Sequence, residues 1–135
     1  VQINRILNTL VLARSEAIKR DIPVTVCKSA DGTSCSTRAN WENGWVMFVN
    51  NNNNGASIDS GEEIIGIYEA LPAGTTLRSN GTNFQNHITY LPDGFSNTNG
   101  SFFLCDSRGA AKGKKLAVAS TGRARIDEGA TVTCP

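Results

Sequence analysis

A chain of 135 residues and 14.4 kDa is the size of one ordinary domain. Hydrophobic residues at 39% and charged residues at 19% fit a folded globular protein and exclude a disordered polyelectrolyte. Thirteen Lys and Arg against twelve Asp and Glu leave a net charge of +1, which excludes a wholesale polycation but permits a local basic patch.

No run of about 18 apolar residues is present, so nothing in these residues is expected to span a bilayer. The chain starts at Val1 with no leader pattern behind it, and reads as a mature or trimmed piece of a longer product. Ile3, Ile6, Leu7, Leu10, Val11, Ala17 and Ile18 follow a helical period and form one apolar stripe. Arg14, Glu16, Lys19 and Arg20 decorate the other side. Pro23 pushes the residue before it out of helical conformation, so the spacing predicts an amphipathic helix over about residues 2–21.

Beyond Pro23 short β-branched and aromatic runs alternate with Gly, Asn, Asp and Ser. The runs are Pro23 to Lys28, Trp45 to Val49, Glu63 to Tyr68, Thr75 to Arg78, His87 to Leu91, Ser101 to Cys105, Lys115 to Ala119, Arg123 to Ile126 and Ala130 to Cys134. The tract from Asn50 to Gly55, five asparagines and a glycine among them, is expected at a hairpin tip. One α+β domain follows over residues 1–135, an N-terminal helix packed on antiparallel sheet built from about residue 22 onward. No second domain boundary or internal repeat is visible.

Cys27, Cys35, Cys105 and Cys134 lack the tight Cys-x-x-Cys spacing of a zinc site, and His87 is the one histidine. Two disulfides fit better and imply an oxidising compartment, so the chain is expected to be exported. Of three possible pairings the preferred one joins Cys27 to Cys35 and Cys105 to Cys134.

Enzymatic chemistry has little to work with. His87 reads as a strand end, and the cysteines are expected to be oxidised and so unavailable as nucleophiles. Glu62 and Glu63 are adjacent and, on a strand, point to opposite faces, so they read as solvated charge. No phosphate-cradling loop is present, and no catalytic residue, metal or cofactor is expected.

The charge distribution says more. From residue 101 onward Arg108, Lys112, Lys114, Lys115, Arg123 and Arg125 oppose Asp106, Asp127 and Glu128, whereas the first hundred residues carry seven bases and nine acids. Within that basic third lies Thr121-Gly122-Arg123-Ala124-Arg125. Glycine permits a tight turn and close backbone approach, and two arginines at i and i+2 on a strand share a face. Their guanidinium forks suit successive phosphates of a nucleic-acid backbone, a patch that Lys112, Lys114, Lys115 and Arg108 extend. The other reading makes Arg123 and Arg125 ordinary solvated charges beside Asp127 and Glu128. Phe102 and Phe103 fit core packing better than base stacking for at least one of them, and Trp41 and Trp45 read as packing against the helix.

The helix end Leu12-Ala13-Arg14-Ser15-Glu16-Ala17-Ile18-Lys19-Arg20, followed by Val24-Thr25-Val26-Cys27, resembles the minor type IV pilins and pseudopilins of the FimT, FimU and GspH group. Trp41-Glu42-Asn43-Gly44-Trp45-Val46-Met47-Phe48, Ile88-Thr89-Tyr90-Leu91-Pro92-Asp93-Gly94 and the closing Thr121 to Arg125 add to the resemblance, which runs over nearly the whole chain and is most like FimT.

The resemblance implies a type IV pilin-like fold and a bacterial protein processed by prepilin peptidase. It further implies an apolar helix, absent from these residues, that anchors the subunit in the inner membrane before it enters an extracellular pilus with other major and minor pilins. FimT-like members of naturally competent bacteria are associated with binding extracellular DNA for uptake through a C-terminal Gly-Arg-x-Arg motif. Carried over here, that motif is Gly122, Arg123 and Arg125, the pair the charge reading selects. The expectation is a minor pilin that binds DNA without sequence preference. The alternatives are a FimU-like subunit that primes assembly at the tip, or a type II secretion pseudopilin, neither binding DNA.

Overall fold

The computed structural model describes residues 3–36, 40–50, 58, 62–79, 86–96, 99–109, 113–127, 132 and 134. The chain opens with α1 (Ile3–Arg20), whose buried face is Ile3, Ile6, Thr9, Leu10, Ala13 and Ala17. That face differs from the expected stripe at two positions. Val11 and Ile18 each follow a buried residue, a rotation of about 100° per step, and stand 56% and 50% exposed. Lys19 and Arg20 occupy the last turn, where the helix dipole favours cations. The helix stops at Asp21, which takes a left-handed φ of 56° two residues before Pro23. Among the described residues no helix is long and apolar enough to cross a membrane.

Eight strands follow: β1 (Val24–Lys28), β2 (Trp45–Val49), β3 (Ile64–Tyr68), β4 (Thr76–Ser79), β5 (His87–Tyr90), β6 (Gly100–Cys105), β7 (Lys114–Val118) and β8 (Ala124–Ile126). They form two antiparallel four-stranded sheets in the orders β3-β2-β1-β5 and β4-β6-β7-β8. Of the ninth expected run, Ala130 to Cys134, Val132 and Cys134 lie in no strand and the other three lie outside the described residues.

In the first sheet β1 and β2 are buried along their whole length, the continuous apolar texture of strands covered on both faces. One face carries Val24, Val26, Trp45 and Met47 into the main core with α1. The other carries Cys27, Val46 and Phe48, packed against Cys35, Ile58 and Ile64. Cys27 is bonded to Cys35 across eight residues, and the loop between them is shaped by Asp31, whose carboxylate accepts from the Thr33 and Ser34 amides and the Ser34 hydroxyl. Those donors hold the Asp31 pKa well below the usual carboxylate range. Cys105 is bonded to Cys134, tying the end of β6 to the chain's last residues.

Asn50 is no part of a hairpin tip. It is buried beside β1, its amide donating to the Pro23 carbonyl (2.8 Å) and its Nδ2 to Thr25 Oγ1 (2.9 Å), while residues 51–55 lie outside the described set.

The inner face of the second sheet supplies Leu77, Phe102, Leu104, Leu116 and Val118 to the same core. Trp41, in a 3-10 turn at Trp41–Asn43, meets Phe102 edge-on at 4.9 Å and donates Nε1 to Ser79 Oγ. Trp45 stacks on Tyr68 and donates Nε1 to Thr9 Oγ1 of the helix at 3.1 Å. Both tryptophans are structural, Trp45 against the helix and Trp41 against the second sheet.

Candidate functional site

The turn between β7 and β8 is closed by the Gly122 amide on the Ala119 carbonyl (2.9 Å) and the Ala119 amide on the Arg123 carbonyl (3.0 Å). Gly122 has a φ of +93°, and a Cβ there would run into the Gly94 carbonyl oxygen, so the turn needs glycine for both conformation and space. Gly94 belongs to the turn after β5, and its carbonyl accepts Arg14 Nε of α1 at 2.8 Å. Ser96 bonds the β7–β8 turn through its amide to Ser120 O and its hydroxyl to Ala119 O. Helix, β5 turn and β8 turn are thus locked together, and β8 leaves that lock as the edge strand of its sheet.

Register decides where the β8 side chains go. Ala117 stands opposite Arg125, and Leu116 and Val118 stand opposite Ile126 and Ala124. Ala124 and Ile126 therefore face the core and Arg125 the outer face, while Arg123 lies just before the strand, and both arginines are exposed. Among the described residues these are the two arginines whose guanidinium groups have no hydrogen-bond or ion-pair partner. Arg5 donates to the Glu69 carbonyl, Arg14 to Gly94, Arg20 pairs with Glu16 and Glu63, and Arg78 and Arg108 grip carboxylates.

Of the rest of the expected basic patch, the described residues Arg108, Lys114 and Lys115 do not join them as one cluster. Arg108 clasps Asp106 within its own hairpin turn, Nη2 to Oδ2 at 2.7 Å, which holds the Asp106 pKa below its usual range. Lys115 shares the outer face but reaches Asp127 at 3.7 Å and lies 6.0 Å from the centroid of Phe103. Lys114 is exposed on the opposite parity, at the far end of β7. That end is about 17 Å from the level of Arg123 at 3.4 Å per residue. Lys112 lies outside the described residues.

What the sequence reading did not connect is the helix. A groove of about 460 Å³ runs between α1 and β8, and among the described residues lining it the cations are Arg14, Lys19 and Arg123 and none is acidic. Glu63, one of the acids read as solvated, is exposed and pairs with Arg20 at the surface. The bases of α1 were visible as a polar helix face, but nothing local said that β8 would lie alongside them.

His87 opens β5, half-buried, with Nδ1 unpartnered, and burial pushes its pKa down. Its register partner is Cys27, whose sulfur is bonded to Cys35. Among the described residues no group of His, Cys, Asp and Glu is placed to hold a metal ion.

Set beside known proteins, the chain matches the family described as type II transport protein GspH over residues 2–122. No curated protein matches it. Its fold is similar to that of the type IV minor pilin FimU of Pseudomonas aeruginosa, seen in two crystal forms with TM-scores of 0.67 and 0.66. Identity to FimU is 17%, over 92% of this chain and 88% or 84% of that one. It is also similar to the minor pseudopilin EpsH of the type 2 secretion system of Vibrio cholerae, with a TM-score of 0.62 and 13% identity over 92% of this chain and 91% of that one. The family match stops at Gly122, one residue short of the two free arginines. One N-terminal helix on two antiparallel sheets, with a match over most of its length, places this chain in the GspH family of minor pilins and pseudopilins.

Proposed function

We propose that this chain is a minor pilin that binds extracellular DNA through Arg123 and Arg125 and so serves DNA uptake. The observation that carries the reading is the pair of exposed, unengaged guanidinium groups, Arg125 on β8 and Arg123 just before it, in a molecule whose other described arginines are all occupied. Two residues of strand rise set them about 7 Å apart, within reach of neighbouring phosphates. Binding is electrostatic and sequence-independent, and the few contacts of one subunit are multiplied when several subunits engage one polymer. In this reading residues 1–135 are a single pilin domain, carried on a preceding apolar helix that anchors it in the inner membrane before pilus entry. Arg108, Lys114 and Lys115 act at most as an outlying field rather than as contacts.

A second reading, assembly with other pilins and no DNA binding, is favoured by one observation: Val11, Leu12 and Ile18 leave apolar surface exposed on α1. The test is a titration of fluorescent random-sequence DNA at low and moderate salt, with Arg123→Ala/Arg125→Ala beside the wild type. The expected result is salt-sensitive binding that the double variant weakens about ten-fold or more at unchanged melting temperature. Equal binding by both proteins removes the assigned site, and no binding by either leaves the assembly subunit.

A further inference from the structure

We infer that the groove between α1 and β8 takes single-stranded DNA in preference to duplex, with phosphates on Arg123 and Lys19 and base faces against its apolar floor and Phe95. The inference rests on the DNA reading above and specifies the form of DNA that fits.

The groove has two kinds of lining. Arg14, Lys19 and Arg123 give it cationic walls with no acid among the described lining residues, which suits a polyanion. Between them lie Val11, Ile18 and Ala124, and Val11 and Ile18 are half exposed. A duplex cannot use that apolar floor, because its base faces are buried in its own stack and it offers phosphates, sugars and groove edges. A single strand carries the same phosphates and also exposed base faces, which gain by covering apolar and aromatic groups.

Phe95 supplies the aromatic group. It is 49% exposed and stands beyond the residues that line the groove, next to Gly94, whose carbonyl takes Arg14 of the groove wall and where an added Cβ would come 3.2 Å from Ile18. Its backbone is held on both sides, the amide donating to Asp93 Oδ1 (3.0 Å) and the carbonyl accepting from the Leu91 amide (2.8 Å). An exposed ring on a braced turn loses little freedom when a base stacks on it. Asp93, exposed on the same turn, repels phosphate and leaves the backbone path to the α1–β8 side.

The experiment measures the anisotropy of one labelled 20-nucleotide strand, alone and annealed to its complement, at one salt concentration. The wild type is expected to bind the single strand about five-fold or more tightly than the duplex, the factor that one stacked base supplies. Phe95→Ala should abolish that ratio while leaving duplex affinity in place, and Phe95→Trp should preserve it. Lys19→Ala should weaken both forms. A duplex that binds as tightly as the single strand, or a ratio unmoved by Phe95→Ala, overturns the inference. If Arg123→Ala/Arg125→Ala still abolishes binding in that case, the DNA reading stands without it. If the wild type binds neither form, the DNA reading falls as well, and the groove is left to a protein partner such as a neighbouring pilin.

Discussion

The first sheet and the β8 margin of the second are built on opposite rules. In β1 and β2 every residue is buried, and a disulfide closes the outer face. Lys28, at the end of β1, is pushed down in pKa by burial and by the Arg78 charge, and Glu42 holds Arg78 through Nε–Oε1 at 3.0 Å and Nη2–Oε2 at 2.8 Å. At β8 the strand is three residues long and lies at an edge, and Arg125 on it and Arg123 just before it have no partner among the described residues. Burial with matched partners supplies stability, and charge left unmatched on a rigid support is available to an outside ligand. The difference separates scaffold from site within one small domain.

Breaking the scaffold should cost most. Trp45→Ala removes a fully buried ring, its stack on Tyr68 and its bond to Thr9, and is expected to destabilise by about 4 kcal/mol in denaturant unfolding. Gly122→Ala attacks the joint between the regions. Its cost is expected at about 2–3 kcal/mol, and the folded fraction should bind DNA more weakly, because the β8 turn must move away from Gly94.

Acid should act through the scaffold before it reaches the site. Burial favours the neutral His87 ring, so its pKa in the folded state lies below the usual 6.5 and the unfolded chain binds the proton more readily. The resulting stability is intact above that value and is lost as pH falls below it. The melting temperature should drop on going from neutral pH into the range just below 6.5, and His87→Gln should flatten that drop. The smallest effect belongs to Arg108→Ala. It opens an exposed pair on the far hairpin, so melting temperature and DNA affinity should both hold within measurement error. A clear loss of affinity there would extend the site to the hairpin and blur the comparison.

Much of the scaffold was legible in the sequence because it rests on local pattern. Pro23 ended the helix, and eight of the nine β-rich runs became strands with ends within a residue or two. The face of α1 was less legible, since Leu10 and Val11, or Ala17 and Ile18, are equally apolar and only the packed sheet decides which one is buried. The Gly122-Arg123-x-Arg125 turn stood out because glycine and the i, i+2 spacing are local signals. The capture of Arg108 by Asp106 was hidden, because it depends on a turn that folds one residue back on another two positions away. So was the groove, since α1 and β8 are about a hundred residues apart in the chain and meet only through the order of the strands.

The most direct test of the central claim is the slope of log Kd against log salt for DNA binding, wild type beside Arg123→Ala/Arg125→Ala. If the two guanidinium groups each neutralise a phosphate, the wild-type slope is steeper by about 1.4 to 1.8, two contacts at about 0.7 each on single strands or 0.9 on duplex. Parallel slopes would contradict the account and show that any DNA affinity of this domain resides elsewhere.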